Sequence, residues 1–256
     1  MEWTVPAHLD IRIVNDNPRR NPSHPMVGWM SGWRRGTQMG LWLAMFNWVV
    51  LSLMGDVMAQ GAVTPIRIVA FGDSLSAGYQ LKADEAFPAQ LERALRSRGH
   101  AVQVINAGVS GDTTGGGLDR LAWAVPADAD AVIVELGAND ALRGLDPALA
   151  RANLDRIITA IKSQKADVLI AGMRAPRNLG DRYVAAFDSI FPDLAAKHDT
   201  LLYDFFLERI AFKPEFNLAD GLHPNAKGVG EIVAGLLPKA EALIERVKQR
   251  RGAGKN

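Results

Sequence analysis

The chain has 256 residues, of which 48% are apolar and 22% are charged. This composition allows a packed core and excludes disordered and collagen-like proteins. The 29 basic and 28 acidic residues give a net charge of +1, without a basic block suited to a phosphate backbone, so no nucleic-acid partner is expected. The chain has no cysteine, which excludes disulfides, thiolate metal sites and a cysteine nucleophile.

The segment before residue 60 differs from the rest of the chain. An uncharged apolar run at 39–54 follows Arg34 and Arg35, and Val57 and Ala59 stand at the −3 and −1 positions of a cleavage site after Ala59. This order is typical of a secretory signal peptide. An uncleaved anchor and a buried helix are the alternatives, although the run is shorter than the roughly twenty residues of a spanning helix. We therefore expect a periplasmic or secreted protein with no stable membrane span after processing.

Residues 1–25 are polar and rich in proline, without helical or strand periodicity, and are not expected to fold. Four methionines are plausible translation starts: Met1, Met26, Met30 and Met39. The expected organisation is a disordered N-terminus plus signal peptide at 1–59 and one domain at 60–256. That domain has a length suited to a single hydrophobic core.

Short apolar runs alternate with amphipathic stretches after residue 60. The apolar runs predict five β-strands, at 66–71, 102–105, 131–136, 168–171 and 201–203. The amphipathic stretches predict five helices, at 87–98, 118–124, 147–164, 183–198 and 226–250. In the third helix the predicted apolar face consists of Leu149, Leu154, Ile157, Ile158 and Ile161. This alternation predicts an α/β protein with a three-layer α/β/α, doubly wound, five-stranded parallel sheet of flavodoxin-like type.

Ligands of such folds bind at the carboxyl ends of the strands. The first strand is followed by Gly72, Asp73 and Ser74, and a serine in a turn between strand and helix can expose its hydroxyl. The simpler interpretation is a helix N-cap, because aspartate and serine are both good capping residues. Neither the dinucleotide fingerprint G-x-G-x-x-G nor the P-loop pattern is present at this turn.

The next two strands are also followed by polar and glycine-containing turns. Gly108 follows the second strand, and we expect its N–H to be free to donate, although an ordinary turn glycine is the commoner case. Asp112 and Thr113 are expected to cap the following helix. Asn139 follows the third strand and offers an amide donor at the same edge of the sheet, or acts as a turn or cap residue.

A turn near the C-terminus contains Asp220 and His223. Of the three histidines after residue 60, only His223 has a carboxylate three residues before it in a glycine-containing turn. Asp220 could therefore bind Nδ1 of His223 and leave Nε2 to accept a proton from a serine, while a surface turn with a capping aspartate is the alternative. No clustered histidines or H-E-x-x-H pattern indicates a metal site.

Four segments together resemble one family. Gly72–Leu75, Gly108, Gly137–Asp140 and Asp220–Pro224 follow successive elements in this order. They resemble the GDSL, or SGNH, hydrolases, and most closely the bacterial branch that contains acyl-CoA thioesterase I, or lysophospholipase L1, and arylesterases. The resemblance covers residues 66–245 and also supports export, since enzymes of this branch are made with signal peptides.

The resemblance implies a role for each matching residue. Ser74 would be the nucleophile, His223 the general base and acid, and Asp220 the residue that orients His223. The N–H groups of Ser74 and Gly108 and the side-chain amide of Asn139 would form the oxyanion hole. No metal or organic cofactor is implied, and the expected partner is a small acyl ester or thioester.

Substrate selection depends on residues outside these motifs. Arg174, Arg177 and Arg182 follow the fourth strand and could attract an anionic headgroup or CoA phosphates, or be ordinary solvated charges. Glu135 is either a buried, hydrogen-bonded carboxylate or a surface residue at a strand end. Two rival functions are a carbohydrate O-acetylesterase of the same superfamily and a non-catalytic α/β binding domain.

Overall fold

A parallel five-stranded sheet forms the centre of the computed structural model, which describes residues 64–254. The strands are β1 (Ile66–Gly72), β2 (Val102–Gly108), β3 (Ala131–Glu135), β4 (Asp167–Ala171) and β5 (Leu201–Tyr203), in the order β2-β1-β3-β4-β5. This is the flavodoxin-like strand order, whose switch point lies between β1 and β3. The predicted signal peptide, with its cleavage site after Ala59, lies outside the described residues.

Eight α-helices accompany the strands in the described part of the chain. They are α1 (Ser74–Ala77), α2 (Phe87–Ser97), α3 (Thr114–Ala124), α4 (Ala138–Leu142), α5 (Pro147–Ser163), α6 (Asp181–Asp188), α7 (Ile190–His198) and α8 (Ala226–Ala253). Two short 3₁₀ helices span Arg177–Leu179 and Pro214–Phe216. Within residues 64–254, none of the helices has the length and apolarity required to cross a membrane.

The helices cover both faces of the sheet. α2 packs against α8, whereas α3 packs against α5 and α5 against α7. Because right-handed crossovers from β1 to β2 and from β2 to β3 run in opposite directions along the sheet, they place α2 and α3 on opposite faces. Every residue of β3 is consequently buried, as expected for a central strand covered on both sides. The predicted α/β/α architecture is confirmed.

The apolar face of α5 differs from the prediction by one residue. Leu154, Ile157, Ile158 and Ile161 are buried as predicted, but Leu149 is 64% exposed. Ala150 takes its place in the core, since it lies four residues before Leu154 and therefore on the same side of the helix.

The predicted helix 183–198 consists of two helices, α6 and α7, which meet at Ser189. Pro192 lies in the first turn of α7 and has no N–H to donate to the carbonyl of Asp188, so the hydrogen-bond ladder is interrupted there. The short helices α1 and α4 were not predicted, because they lack enough residues for a periodic pattern.

Candidate active site

Ser74 lies at the carboxyl end of β1, as the first residue of α1. Asp73 caps this helix, with its Oδ1 accepting from the N–H of Leu75 at 3.0 Å. Because Ser74 opens the helix, its own N–H has no partner within α1. A Cβ at Gly72 would lie 2.4 Å from Oε2 of Glu135, so only glycine allows the turn to approach β3 this closely.

His223 connects Ser74 with Asp220. Its Nε2 lies 2.9 Å from Oγ of Ser74, and its Nδ1 lies 2.7 Å from Oδ2 of Asp220. Oδ1 of Asp220 also accepts from the N–H groups of Leu222 and His223, at 2.9 and 3.0 Å. These backbone hydrogen bonds and the bond from the imidazole lower the pKa of Asp220 to about 2. Asp220 is therefore an ionised acceptor at neutral pH and favours the tautomer of His223 protonated at Nδ1.

The loop that carries His223 is attached to the C-terminal helix. Asn225 caps α8 by accepting from the N–H groups of Lys227 and Gly228, each at 3.0 Å. Its Nδ2 donates back to the carbonyls of Glu215 and Asn217, at 3.0 and 3.3 Å. One side chain thus joins the start of α8 to the segment before the loop.

Tyr79 was not assigned a role from the sequence, yet it packs against His223. The ring centroids of Tyr79 and His223 are 4.4 Å apart, and their planes are inclined by 36°. The phenol therefore supports one side of the imidazole. The sequence offered no signal for this contact beyond the position of Tyr79 in the turn after Ser74.

Asn139 and Gly108 lie at the same edge of the sheet as Ser74, but both already donate hydrogen bonds. Nδ2 of Asn139 donates to Oδ2 of Asp73 at 3.1 Å. The N–H of Gly108 donates to Oδ1 of Asn106 at 3.0 Å, so the expectation that this N–H is free was wrong. An Asn side chain commonly binds the backbone N–H two residues later, which explains the contact.

Two carboxyl groups are buried behind Ser74. Of the two interpretations of Glu135, the buried one is correct: its Oε2 accepts from Oγ of Ser76 at 2.8 Å and from the N–H of Asp73 at 3.3 Å. Burial raises the pKa of Asp73 to about 6. Burial, and then the neighbouring Asp73, raise the pKa of Glu135 well above its usual value.

Arg120 is a buried residue that no sequence motif indicated. Its guanidinium donates to the carbonyls of Gly72 and Ala107, both at 2.8 Å. These two hydrogen bonds join the end of β1 to the end of β2. It also pairs with Asp112 at 2.5 Å, so Asp112 is an ion-pair partner and not the predicted cap. Thr113 does cap α3, accepting from the N–H of Gly116 at 3.2 Å.

A cavity of about 690 Å³ opens beside Ser74. Ser74, Asn139 and His223 all line it, and most of its other lining residues are apolar. Buried side chains from four regions of the chain form part of its wall: Leu75, Ala141, Met173, Ala175 and Ile210. Phe212 and Leu222 also line it and are exposed to solvent. The cavity combines a large apolar surface with a few convergent polar groups, as small-molecule sites do.

The three arginines after β4 have different positions. Arg174 lines the cavity and lies over the ring of Phe205, 5.3 Å from its centroid. Arg177 also lines the cavity, but its guanidinium pairs with Asp188 at 2.8 Å. Arg182 is exposed and is not among the cavity-lining residues of the described chain.

The polar groups of the cavity suit acyl transfer. A hydroxyl that donates to an imidazole, which in turn donates to an ionised carboxylate, can lose its proton as it attacks a carbonyl carbon. Within residues 64–254, no three histidine, aspartate or glutamate side chains are grouped so that they could hold a metal ion.

Comparisons with known proteins agree with this chemistry. A profile of the GDSL-like Lipase/Acylhydrolase family matches residues 70–229. The arylesterase of Vibrio mimicus is 43% identical over 177 residues, which cover 68% of this chain and 88% of that protein. The thioesterase 1/protease 1/lysophospholipase L1 of Escherichia coli K12 is 38% identical over 181 residues, or 70% of this chain and 86% of that protein.

Solved structures show the same relationship. The crystal structure of AlinE4, an SGNH-hydrolase family esterase, matches with a TM-score of 0.61 and 47% identity, over 71% of this chain and 98% of that chain. The crystal structure of TesA matches with a TM-score of 0.66 and 34% identity, over 69% of this chain and 99% of that chain. The chain is therefore a member of the GDSL-like lipase/acylhydrolase family of hydrolases.

Proposed function

We propose that the protein is a serine esterase that hydrolyses carboxylic esters and thioesters through an acyl-enzyme. The observation that carries this proposal is the hydrogen-bonded series from Ser74 through His223 to Asp220 beside an apolar cavity. The names of the relatives, arylesterase and thioesterase 1/lysophospholipase L1, support the same substrate class.

In the proposed reaction, Oγ of Ser74 attacks the acyl carbon while Nε2 of His223 takes the hydroxyl proton. Asp220 holds the Nδ1–H and stabilises the imidazolium that forms. The tetrahedral intermediate collapses, and His223 returns the proton to the departing alkoxide or thiolate. Water then attacks the acyl-enzyme with the same base, releases the carboxylic acid and restores the proton of Ser74.

The proposed oxyanion hole uses the N–H of Ser74, the amide of Asn139 and the N–H of Gly108. Such donors act by facing the oxygen on which negative charge develops in the transition state. In the free protein the N–H of Gly108 donates to the amide oxygen of Asn106. On substrate binding this N–H would donate to the oxyanion instead, or form a bifurcated hydrogen bond to both oxygens. A charged acceptor forms the stronger hydrogen bond, which favours that exchange.

We propose that the apolar cavity holds the acyl chain and that Arg174 attracts an anionic leaving group. The guanidinium of Arg177 is already paired with Asp188, whereas Arg174 lies on Phe205 at the cavity. Acyl-CoA and lysophospholipid leaving groups both carry phosphate, which suits this position.

The test is a chain-length series of nitrophenyl and CoA esters on residues 60–256, with Ser74→Ala as the matched variant. Hydrolysis of medium or long acyl chains that is lost in Ser74→Ala would support the proposal. Activity restricted to acetyl esters, together with acetate release from acetylated glycans, would favour the carbohydrate O-acetylesterase. Undiminished activity in Ser74→Ala would overturn the serine mechanism.

We also propose that the protein is exported and cut after Ala59. The uncharged run 39–54, the preceding arginine pair and the small residue Ala59 support this proposal. N-terminal sequencing of the mature protein from the periplasm or medium is expected to begin at Gln60. A mature chain that retains the apolar run would contradict cleavage and indicate an anchor.

A further inference from the structure

Asp73 is a fully buried carboxyl group whose two oxygens have different partners. Oδ1 accepts from the N–H of Leu75 at 3.0 Å and thereby caps α1. Oδ2 accepts from Nδ2 of Asn139 at 3.1 Å and thereby joins the turn after β1 to α4. The contact between Asp73 and Asn139 crosses the switch point from the end of β1 to the end of β3. It is not needed for the cap of α1.

This contact determines which way the amide of Asn139 faces. The Nδ2 group has two hydrogens, and Asp73 takes one of them, which leaves the other for the cavity that Asn139 lines. If the amide were rotated by half a turn, its oxygen would face the carboxylate of Asp73, and two acceptors would be in contact. An ionised Asp73 therefore permits only the orientation that presents an N–H to the cavity.

We propose that Asp73 is a positioning residue for the oxyanion hole, which it serves by holding the Asn139 amide with an N–H directed at the oxygen of the reacting carbonyl. The inference rests on the proposed esterase function and assigns Asp73 a task beyond that of a helix cap. Asp73 itself does not touch the substrate, because it is buried behind Ser74.

The neighbouring Glu135 explains how Asp73 remains ionised. Two buried carboxyl groups in contact with the same turn cannot both be charged without a large cost. Both oxygens of Asp73 accept hydrogen bonds, whereas Oε1 of Glu135 has no partner within the described chain, so the negative charge is better stabilised on Asp73 and Glu135 keeps the proton. Burial raises the pKa of Asp73 to about 6, and burial, together with the neighbouring Asp73, raises the pKa of Glu135 well above its usual value. Of the other charged groups near Asp73, His223 lowers its pKa and Asp112 raises it.

The test is Asp73→Asn, because asparagine caps a helix about as well as aspartate. If its oxygen remains on the N–H of Leu75, its amide nitrogen faces Asn139, and two donors meet. The amide of Asn139 is then expected to rotate and present its oxygen to the oxyanion. We expect kcat at about pH 8 to fall about 10²- to 10³-fold, the loss typical of a missing oxyanion donor, with little change in KM or melting temperature.

A double-mutant cycle with Asn139→Ala separates this role from a structural one. If Asp73 acts through Asn139, then Asp73→Asn should lower kcat by less than about threefold in the Asn139→Ala protein. Asp146→Asn is the matched control, since Asp146 caps α5 through the N–H of Ala148 at 2.9 Å and does not line the cavity. It should keep full activity.

Wild-type kcat in Asp73→Asn, or losses that multiply in the double variant, would overturn the inference. If Asp73→Asn does not fold, Asp73→Ser serves instead, because serine also caps helices but lacks the carboxylate that holds Asn139. Its loss of kcat should likewise disappear in the Asn139→Ala protein, and a loss that persists there counts against the proposal. Failure of the esterase function itself would be recognised separately, by full activity in Ser74→Ala.

Discussion

Two adjacent polar residues after β1, Asp73 and Ser74, differ in burial and in hydrogen-bond partners. Ser74 lines the cavity with its hydroxyl on His223, whereas Asp73 is fully buried and bound to Leu75 and Asn139. Both are good capping residues, so the sequence alone left open whether Ser74 caps the helix or exposes its hydroxyl. The direction of each side chain at the start of α1 makes that distinction.

At the residue scale, Asn139→Ala tests the oxyanion hole. Its second N–H is the one side-chain donor proposed for the developing oxyanion, so we expect kcat to fall about 10²- to 10³-fold. The protein should still fold, but its melting temperature should fall by a few degrees, because Oδ2 of the buried Asp73 loses its hydrogen-bond donor. Steady-state kinetics and thermal denaturation of the same samples measure the two effects. A kcat within threefold of wild type would remove Asn139 from the proposed oxyanion hole.

Arg174→Ala tests the anionic leaving-group site. Loss of the guanidinium should raise KM for acyl-CoA about tenfold, while KM for uncharged nitrophenyl esters of the same acyl chain stays unchanged. Arg182→Ala is the matched control, since Arg182 is exposed and outside the cavity lining of the described chain. Equal effects of Arg174→Ala on both substrates would indicate general damage to the cavity and contradict the assignment.

At the element scale, the junction between the catalytic loop and α8 depends on Asn225. Asn225→Asp keeps the oxygen that caps α8 but replaces the donor to the Glu215 and Asn217 carbonyls by a repelling oxygen. We expect kcat to fall about tenfold, because the loop would shift and displace His223 from Ser74, while the cap of α8 is retained. Asn225→Ala should lose the cap as well and cost about 1 kcal/mol of unfolding free energy. Kinetics and chemical denaturation measure the two effects.

Asp146→Ala is the control for this comparison. It removes the cap of α5 and should cost a similar unfolding free energy without lowering kcat. If Asn225→Asp keeps the kcat of wild type, the loop is held by its other contacts. Two such contacts are the antiparallel β-bridge between Asn217 and Pro224 and the hydrogen bond from the N–H of Leu218 to the carbonyl of His223, at 2.7 Å.

At the scale of the whole molecule, the two buried carboxyl groups link stability to pH. Their pKa values in the unfolded chain are near 3.8 and 4.5, whereas in the folded protein burial raises the pKa of Asp73 to about 6 and that of Glu135 well above its usual value. The folded protein therefore holds more protons than the unfolded chain in this range, and its stability falls as the pH rises. The lowered pKa of Asp220 acts in the opposite sense, but only at more acidic pH.

Glu135→Gln tests this linkage, because glutamine imitates the protonated carboxyl group and does not titrate. Relative to wild type, its unfolding free energy should increase between about pH 5 and pH 8, by at most about 1.4 kcal/mol per pH unit. Urea denaturation at several pH values measures the difference. A difference that stays constant across this range would show that Glu135 does not exchange a proton on unfolding.

The fold and the candidate site residues could both be predicted from the sequence, and the structure confirms the fold. Apolar runs of strand length alternating with amphipathic stretches permit few solutions other than a parallel sheet covered on both faces, and in such a sheet Ser74, Gly108 and Asn139 follow strands that end at one edge. The D-x-x-H spacing also places Asp220 within reach of His223, since both lie in one tight turn.

Contacts between residues that are distant in the sequence became visible only in the folded protein. Three contacts carry no sequence signature: Tyr79 against His223, Arg120 on the ends of two strands, and Glu135 beside Asp73. These contacts join residues that are far apart in the sequence and meet only in the folded protein. Their spacing follows neither the helical nor the strand period. Periodicity reports which face of an element is buried, whereas hydrogen-bond partners depend on where the other elements have been placed.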